Sequence, residues 1–362
     1  MTRPTHAIID TSALQANLCL VKNHAPQQKI MAVVKANAYG HGAARIANTI
    51  ANEVDGFAVC CLEEALQLRD ININQPITIL EGFFHPDELP IIAKQDLHIV
   101  ISTATQVKQL TKAKLDKPIN VWLKVDTGMH RLGFTPKETV SVHQLIEQNS
   151  QIVTPIRLMS HLACADEIDN DATEQQIQIF TELVKYLKIE EASLANSAGI
   201  LGWPTAHLNW VRPGIMLYGA SPFPDMVDEN LKPVMQLQSS LISVKRCYKG
   251  DGIGYGATWI CPQTMPVGVI AIGYADGYPR HAPIGTPVLV NGKRVPLIGR
   301  VSMDMITVDL RNQPNARVGD PVLLWGTGLP VEEIASLSGT IAYELFCNLG
   351  SRVRKSSSSK LL

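Results

Sequence analysis

Cysteine is scarce in this chain and follows no pattern. The seven cysteines are an odd number at irregular spacing, which excludes a regular disulfide framework and supplies no metal-ligand motif. Cys60 and Cys61 are adjacent in an apolar run and read as free thiols, so the expected compartment is reducing, the cytoplasm. No uninterrupted apolar run approaches the roughly 18 residues that a membrane-spanning helix needs. The opening residues MTRPTHAIID lack an apolar h-region and a small-residue cleavage site, so no secretory signal is expected. Excess charge is missing too. A net charge of −1 gives no electrostatic footprint for nucleic acid or an anionic membrane. What is abundant is apolar side chain, 46% of 362 residues, enough to build the cores of two domains.

From residue 29 to about 220, short apolar runs alternate with amphipathic ones. The strand candidates are KIMAVVK (29–35), GFAVC (56–60), ITIL (77–80), HIVIS (98–102), NVWLKVD (120–126), IRLMSH (156–161), EASLAN (191–196) and HLNWVR (207–212). Helix-like segments such as ARIANTIANEV, EEALQLRD and ATQVKQLTKAKL lie between most of them. In TEQQIQIFTELVKYLK the apolar Ile177, Phe180, Leu183 and Val184 fall on one helical face. This alternation predicts a (β/α)8 TIM-type barrel over residues 1–230 rather than an open doubly wound sheet. Beyond about 230 the long helical patterns vanish, and apolar runs are bounded by Gly, Pro and Asn. Asn291-Gly292 between two such runs is a strong hairpin signal. A mostly-β C-terminal domain is therefore expected over 231–355, interrupted by one weakly helical piece, VEEIASLSG. The low-complexity end, residues 356–362, is expected to be a disordered tail.

Active sites of such barrels lie at the C-terminal ends of the strands. Lys35 ends the first predicted strand, His161 the sixth, Asn196 the seventh and Arg212 the eighth. A lysine leaving a buried strand is desolvated, which frees an amine able to form a Schiff base. Alone, it would more readily be read as capping an ordinary strand with its ammonium in water. Loops after the seventh and eighth strands commonly bind phosphate, and here they carry Asn196-Ser197 and Pro213-Gly214-Ile215. Their hydroxyl and N–H donors, with the phenol of Tyr39, suit a dianion.

The motifs AVVKANAYGHG, LKVDTGMHRLGF, SHLACAD, NSAG, WVRPGIMLYG, GYGATW, IGYADGYPR, GRVSMDM and AYEL follow in this order between residues 5 and 354. Taken together they resemble the alanine racemase family from end to end. The resemblance implies an enzyme that interconverts L- and D-alanine with pyridoxal 5'-phosphate (PLP) and no metal. It implies a head-to-tail homodimer whose two active sites each use both chains, supplying D-alanine for peptidoglycan. Carried over by position, Lys35 would bind PLP covalently, and Tyr39, Ser197, Gly214, Ile215 and Tyr343 would hold its phosphate. Arg212 would face the pyridine nitrogen with His161 beside it and Asn196 nearby. Arg131 would grip the substrate carboxylate, helped by Met303 from the second chain. Tyr255 would be the second base, opposite Lys35. Lys124 matches a position often carbamylated in the family, with a plain surface ammonium as the alternative.

Several residues have plainer readings. Tyr274 and Asp276 could line the substrate entrance, or Asp276-Gly277 could simply form a turn. Cys164 reads as a small buried hydrophobe. His41 and His130 take no role. Three rival functions stay open: a racemase for serine or a broader set of amino acids, a PLP carrier without catalysis, and a decarboxylase of basic amino acids on a related barrel.

Overall fold

A computed structural model describes residues 3–223, 228 and 230–357. Runs that are apolar on both faces must be covered on both faces, and in a parallel sheet crossover helices do this. After β1 (His6–Ile9), eight such runs form β2 (Lys29–Val33), β3 (Gly56–Val59), β4 (Ile77–Ile79), β5 (Leu97–Ile101), β6 (Ile119–Lys124), β7 (Ile152–Met159), β8 (Ala192–Ser193) and β9 (Trp210–Val211). They close into one parallel barrel, with Lys29 and Ile30 opposite Trp210 and Val211 at the seam. Each crossover carries a helix: Ala43–Ile50, Leu62–Asp70, Leu89–Lys94, Ala104–Lys112, Pro136–Glu147, Ala172–Tyr186 and Ser197–Gly202. In Ala172–Tyr186 the predicted face is the packed one, with Ile177, Phe180 and Leu183 buried. The last two strands are shorter than predicted. Asn196 stops the first by capping the helix Ser197–Gly202, and Pro213 lies two residues past the end of the second.

The second unit is built on β10 (Met235–Cys247), β11 (Gly252–Ile253), β12 (Trp259–Ile260), β13 (Met265–Ile270), β14 (Pro287–Val290), β15 (Lys293–Ile298), β16 (Ile306–Asp309), β17 (Pro321–Trp325) and β18 (Arg354–Ser357). Its main sheet runs β13-β16-β15-β14-β17-β10-β1-β18, and β13 also pairs with β10. β10 spans both partners because a bulge between Leu241 and Ser243 lets its two halves pair separately. The predicted hairpin joins β14 to β15, with Asn291 and Gly292 at φ 50° and 74°. Ile253, Cys261, Met265, Val267 and Ile298 form one buried cluster of this unit. The helices Val331–Leu337 and Ala342–Cys347 complete it.

Two expectations change. One compact unit holds Leu18–Ala38 and Gly42–Leu217. The other holds the chain up to Asn17, Tyr39–His41 and the chain from Tyr218 onward. The N-terminal strand thus sits outside the barrel that was expected to begin at residue 1, because β1 pairs antiparallel with β10 and parallel with β18. Ser356 and Ser357 were expected in a disordered tail but pair with Ile8 and Ile9. Residues 358–362 of that tail lie outside the described residues. Among the described residues no helix is long and apolar enough to cross a membrane.

Candidate active site at the barrel mouth

The predicted first strand stops at Val33, so Lys35 lies two residues past it and is half-buried. The cause is a run of left-handed backbone: Ala36, Asn37, Ala38 and Tyr39 have φ of 51°, 54°, 54° and 49°. Such residues cannot continue a strand. Gly40 follows at φ 76°, where an added Cβ would lie 2.1 Å from the Phe346 carbonyl oxygen, so no other residue fits there. The helix Ala43–Ile50 then follows, over the start of the segment ARIANTIANEV that was expected to be helical.

Arg212, directly after β9, is buried and fully engaged at its two terminal nitrogens. Nη1 donates to Ser193 Oγ at 2.6 Å, and Nη2 to the Ser160 carbonyl at 2.7 Å, the Leu194 carbonyl at 3.3 Å and His161 Nδ1 at 3.1 Å. Burial lowers the Arg212 pKa to about 10, which leaves it charged at neutral pH. Because an arginine only donates, His161 Nδ1 must accept, and the neutral ring carries its proton on Nε2. Burial first, and then the charges of Arg212, Lys124, Arg131 and Lys35, hold the His161 pKa well below its ordinary value.

Lys124, the last residue of β6, belongs to the same electrostatic group. Burial, then Arg212 and Arg131, drive its pKa well below the usual lysine range, with Asp126 opposing. Arg131 itself is exposed on a loop folded back over that strand end. Phe134 N donates to the Lys124 carbonyl at 3.0 Å, and Asp126 N to the Phe134 carbonyl at 2.8 Å. Asp126 Oδ1 accepts from Gly128 N and His130 N, both at 3.0 Å, which makes His130 a shaping residue of this loop. Lys35, Lys124, Arg131, His161 and Arg212 therefore act on one another electrostatically.

The predicted phosphate loops converge. Asn196 caps the helix Ser197–Gly202 by accepting from Gly199 N at 2.9 Å. Ser197 Oγ, also buried, accepts from Gly214 N at 2.9 Å and from Met216 N at 3.4 Å, and Ile215 is buried between those two donors. In the other unit, the Tyr39 ring stacks 4.8 Å from Tyr218 and lies 5.8 Å from Tyr343. Burial, then Tyr343, raises the Tyr39 pKa, so its phenol remains an O–H donor.

Tyr255 stands on the β11–β12 turn, 67% exposed, and Met303 is 52% exposed. The segment after β13 lies against the Met303 loop, with Tyr274 N donating to the Ser302 carbonyl and Ala275 N to the Met303 carbonyl, both at 3.0 Å. Gly273 permits this, since a Cβ there would fall 2.3 Å from the Ser302 oxygen. Asp276 does not line an entrance. It is completely buried and accepts from Arg3 at 2.8 Å, Arg352 at 2.7 Å and Gly273 N at 2.9 Å, while Gly277 turns the chain at φ 103°.

Residues 9–222 match the family model of the alanine racemase N-terminal domain, and residues 234–357 match that of its C-terminal domain. The alanine racemase of Halorhodospira halophila is 49% identical over 357 residues, 98% of each chain. That of Vibrio vulnificus is 50% identical over 352 residues, 97% of this chain and 98% of the relative. The crystal structure of the biosynthetic alanine racemase from Pseudomonas aeruginosa superposes with a TM-score of 0.96 at 47% identity, covering 99% of this chain and 100% of that one. The chain belongs to the alanine racemase family. Members of that family are PLP-dependent, and the donor set here fits such a group. Ser197 and the N–H groups converging on it suit a phosphate. Arg212 could face a pyridine nitrogen only as a donor, and a basic cluster of this kind suits a carboxylate.

Sequence reasoning missed several structural supports. Gln176 Nε2 donates to Thr127 Oγ1 and to the His161 carbonyl, both at 3.0 Å, and its Oε1 accepts from Ala163 N at 2.8 Å. It ties the loop after β6 to the loop after β7. Within the other unit sequence reasoning missed the Arg3–Asp276–Arg352 network, and in the barrel it missed Glu64. Only Glu64 left a local signal, as the third residue of its helix, where a carboxylate usually caps.

Proposed function

We propose that this chain racemises alanine with PLP covalently held by Lys35, passing the Cα proton between Lys35 and Tyr255. The chain acts as an isomerase, and in a bacterial cell its product D-alanine feeds peptidoglycan. The observation that carries this reading is the basic cluster of Lys35, Lys124, Arg131, His161 and Arg212 at one barrel mouth. When bound, PLP supplies the electron sink that acidifies Cα.

The remaining work falls to the protein. Ser197, Gly214, Ile215, Tyr39 and Tyr343 hold the phosphate, and Asn196 shapes the helix start beside it. Arg212 would face the pyridine nitrogen as a donor and would leave it unprotonated, because a guanidinium cannot give up its proton at neutral pH. A ring left neutral in this way would supply a weaker electron sink, which would favour return of a proton to Cα over side chemistry. Arg131 binds the substrate carboxylate, and Met303 borders it. Lys35 removes the proton from one face of Cα, and Tyr255 serves the opposite face. A phenol in water is a poor base, so the role asked of Tyr255 needs a positive charge close to its oxygen. The lowered Lys124 pKa favours a neutral amine, which can attack CO2 to form a carbamate with release of one proton; the resulting anion would then lie beside Arg131.

Exposure of Tyr255 and Met303 on a single chain supports a homodimer in which they complete the partner's site. Unpatterned free cysteines support a cytoplasmic location. The test is a racemisation assay across L-amino acids. L-Alanine is expected to give the highest kcat/KM, with L-serine lower by about 10–200-fold, as one substituent in a small pocket allows. CO2 release from basic amino acids, or tight PLP binding with no turnover of any substrate, would contradict the proposal.

A further inference from the structure

We infer that Glu64 is a positioning residue for Lys35. The inference rests on Lys35 being the cofactor lysine. Four successive non-glycine residues behind Lys35 are left-handed, an arrangement that L-residues adopt only when held. Three bonds hold the later part of this segment from within. Ala38 N donates to the Val34 carbonyl at 2.8 Å, Gly42 N to the Asn37 carbonyl at 2.9 Å, and Ala43 N to Asn37 Oδ1 at 2.8 Å. The upstream end is held from a different crossover. Glu64 Oε1 accepts from Ala36 N at 2.7 Å, and Glu64 Oε2 accepts from Cys60 N at 2.8 Å.

Ala36 N belongs to the peptide group that begins at the Lys35 carbonyl. Fixing that plane fixes ψ of Lys35, and with it the direction in which the lysine side chain leaves the backbone. The second oxygen anchors the carboxylate just past β3, the barrel neighbour of β2, where Val34 N already donates to the Ala58 carbonyl at 2.9 Å. Glu64 thus references the Lys35 peptide to a rigid strand end. The task needs two acceptor oxygens. Glutamine supplies one oxygen and turns an NH2 toward the other N–H, so it can satisfy only one donor.

The test follows PLP uptake by the full-length apo-protein, read as growth of the bound cofactor's visible band, together with steady-state racemisation. Glu64→Ala is expected to slow uptake and lower kcat by roughly 100-fold, the scale of a small misplacement of a reacting group. Alanine KM should stay within about twofold of wild type. Glu64→Gln should fall between Glu64→Ala and wild type. Glu63→Ala removes a neighbouring acidic residue from the same helix turn without touching Ala36, and should behave as wild type. The inference is overturned if folded Glu64→Ala captures PLP and turns over within twofold of wild type, or if Glu63→Ala loses as much. Should Glu64→Ala not fold, amide exchange of the wild-type apo-protein decides. Strong protection of Ala36, which lies at the surface, supports the bond, and exchange at the rate of an unstructured peptide overturns it. Reductive trapping of PLP on another lysine would instead remove the Lys35 reading itself, so the two failures are distinguishable.

Discussion

Arg212 Nη2 donates to His161 Nδ1 at 3.1 Å, and this contact makes Nδ1 of the imidazole an acceptor. The guanidinium stays charged because its pKa, though lowered to about 10 by burial, remains above neutrality. The imidazole stays neutral because burial and Arg212 both oppose a second cation. A charged donor beside a neutral ring can orient a cofactor nitrogen without protonating it.

Replacing Arg212 by Glu is therefore a stability lesion before it is an electronic one. The carboxylate would face the Ser160 and Leu194 carbonyls, which now accept from Arg212 and would lose their donor. Loss of a buried charged donor should cost about 3 kcal/mol or more. Urea unfolding should show a clearly lower midpoint for Arg212→Glu than for Arg212→Lys, along with loss of racemisation. Equal midpoints and retained activity would mean that Arg212 is not held as described.

Half-buried His98 contributes to the acid limb of stability. His98 in β5 has its pKa lowered to about 4, first by burial and then by Arg157. Its unfolded value is about 6.5. Above that both states are neutral and the contribution is full. As pH falls through 6.5 the unfolded chain takes up the proton first, so stability declines until the folded state titrates near 4. At pH 5 the His98 share of this loss is at most about 2 kcal/mol. Replacing His98 by Gln should flatten the drop between pH 7 and pH 5 in urea midpoints. An unchanged pH slope would refute the assignment.

The barrel was legible because its strands are local apolar runs. GFAVC and HIVIS, the weakest of them, correspond to Gly56–Val59 and Leu97–Ile101. The polar residues at strand ends were legible for the same reason, once the barrel was inferred. What stayed hidden was non-local or backbone-driven. Ile8 opposite Ser356 pairs residues from the two ends of the chain, and a serine run carries no apolar alternation to announce a strand. The segment KANAY contains good helix formers, so nothing in its composition signals four left-handed residues. Glu64 reads as a helix-capping carboxylate, and its reach to Ala36 depends on β2 and β3 being neighbours. Asp276 looked like a turn residue beside a site, but its partners Arg3 and Arg352 are distant in sequence.

A shared site should complement between two dead variants. If Lys35 and Tyr255 of one site come from different chains, a heterodimer of Lys35→Ala and Tyr255→Ala holds one doubly damaged site and one intact site. Random reassortment of equal amounts gives about half heterodimers, hence about a quarter of all sites intact. Coexpression, or joint refolding, should restore activity toward a quarter of wild type. If both bases lay on one chain, activity would stay at the background of each variant alone.

The central claim is that Lys35 is the residue that holds the cofactor, and the most direct measurement is chemical. Borohydride reduction of the PLP-loaded protein followed by peptide mapping should place the pyridoxyl group on the peptide containing Lys35, and Lys35→Ala should carry none. A pyridoxyl group on Lys124, or on any other lysine, would contradict the account.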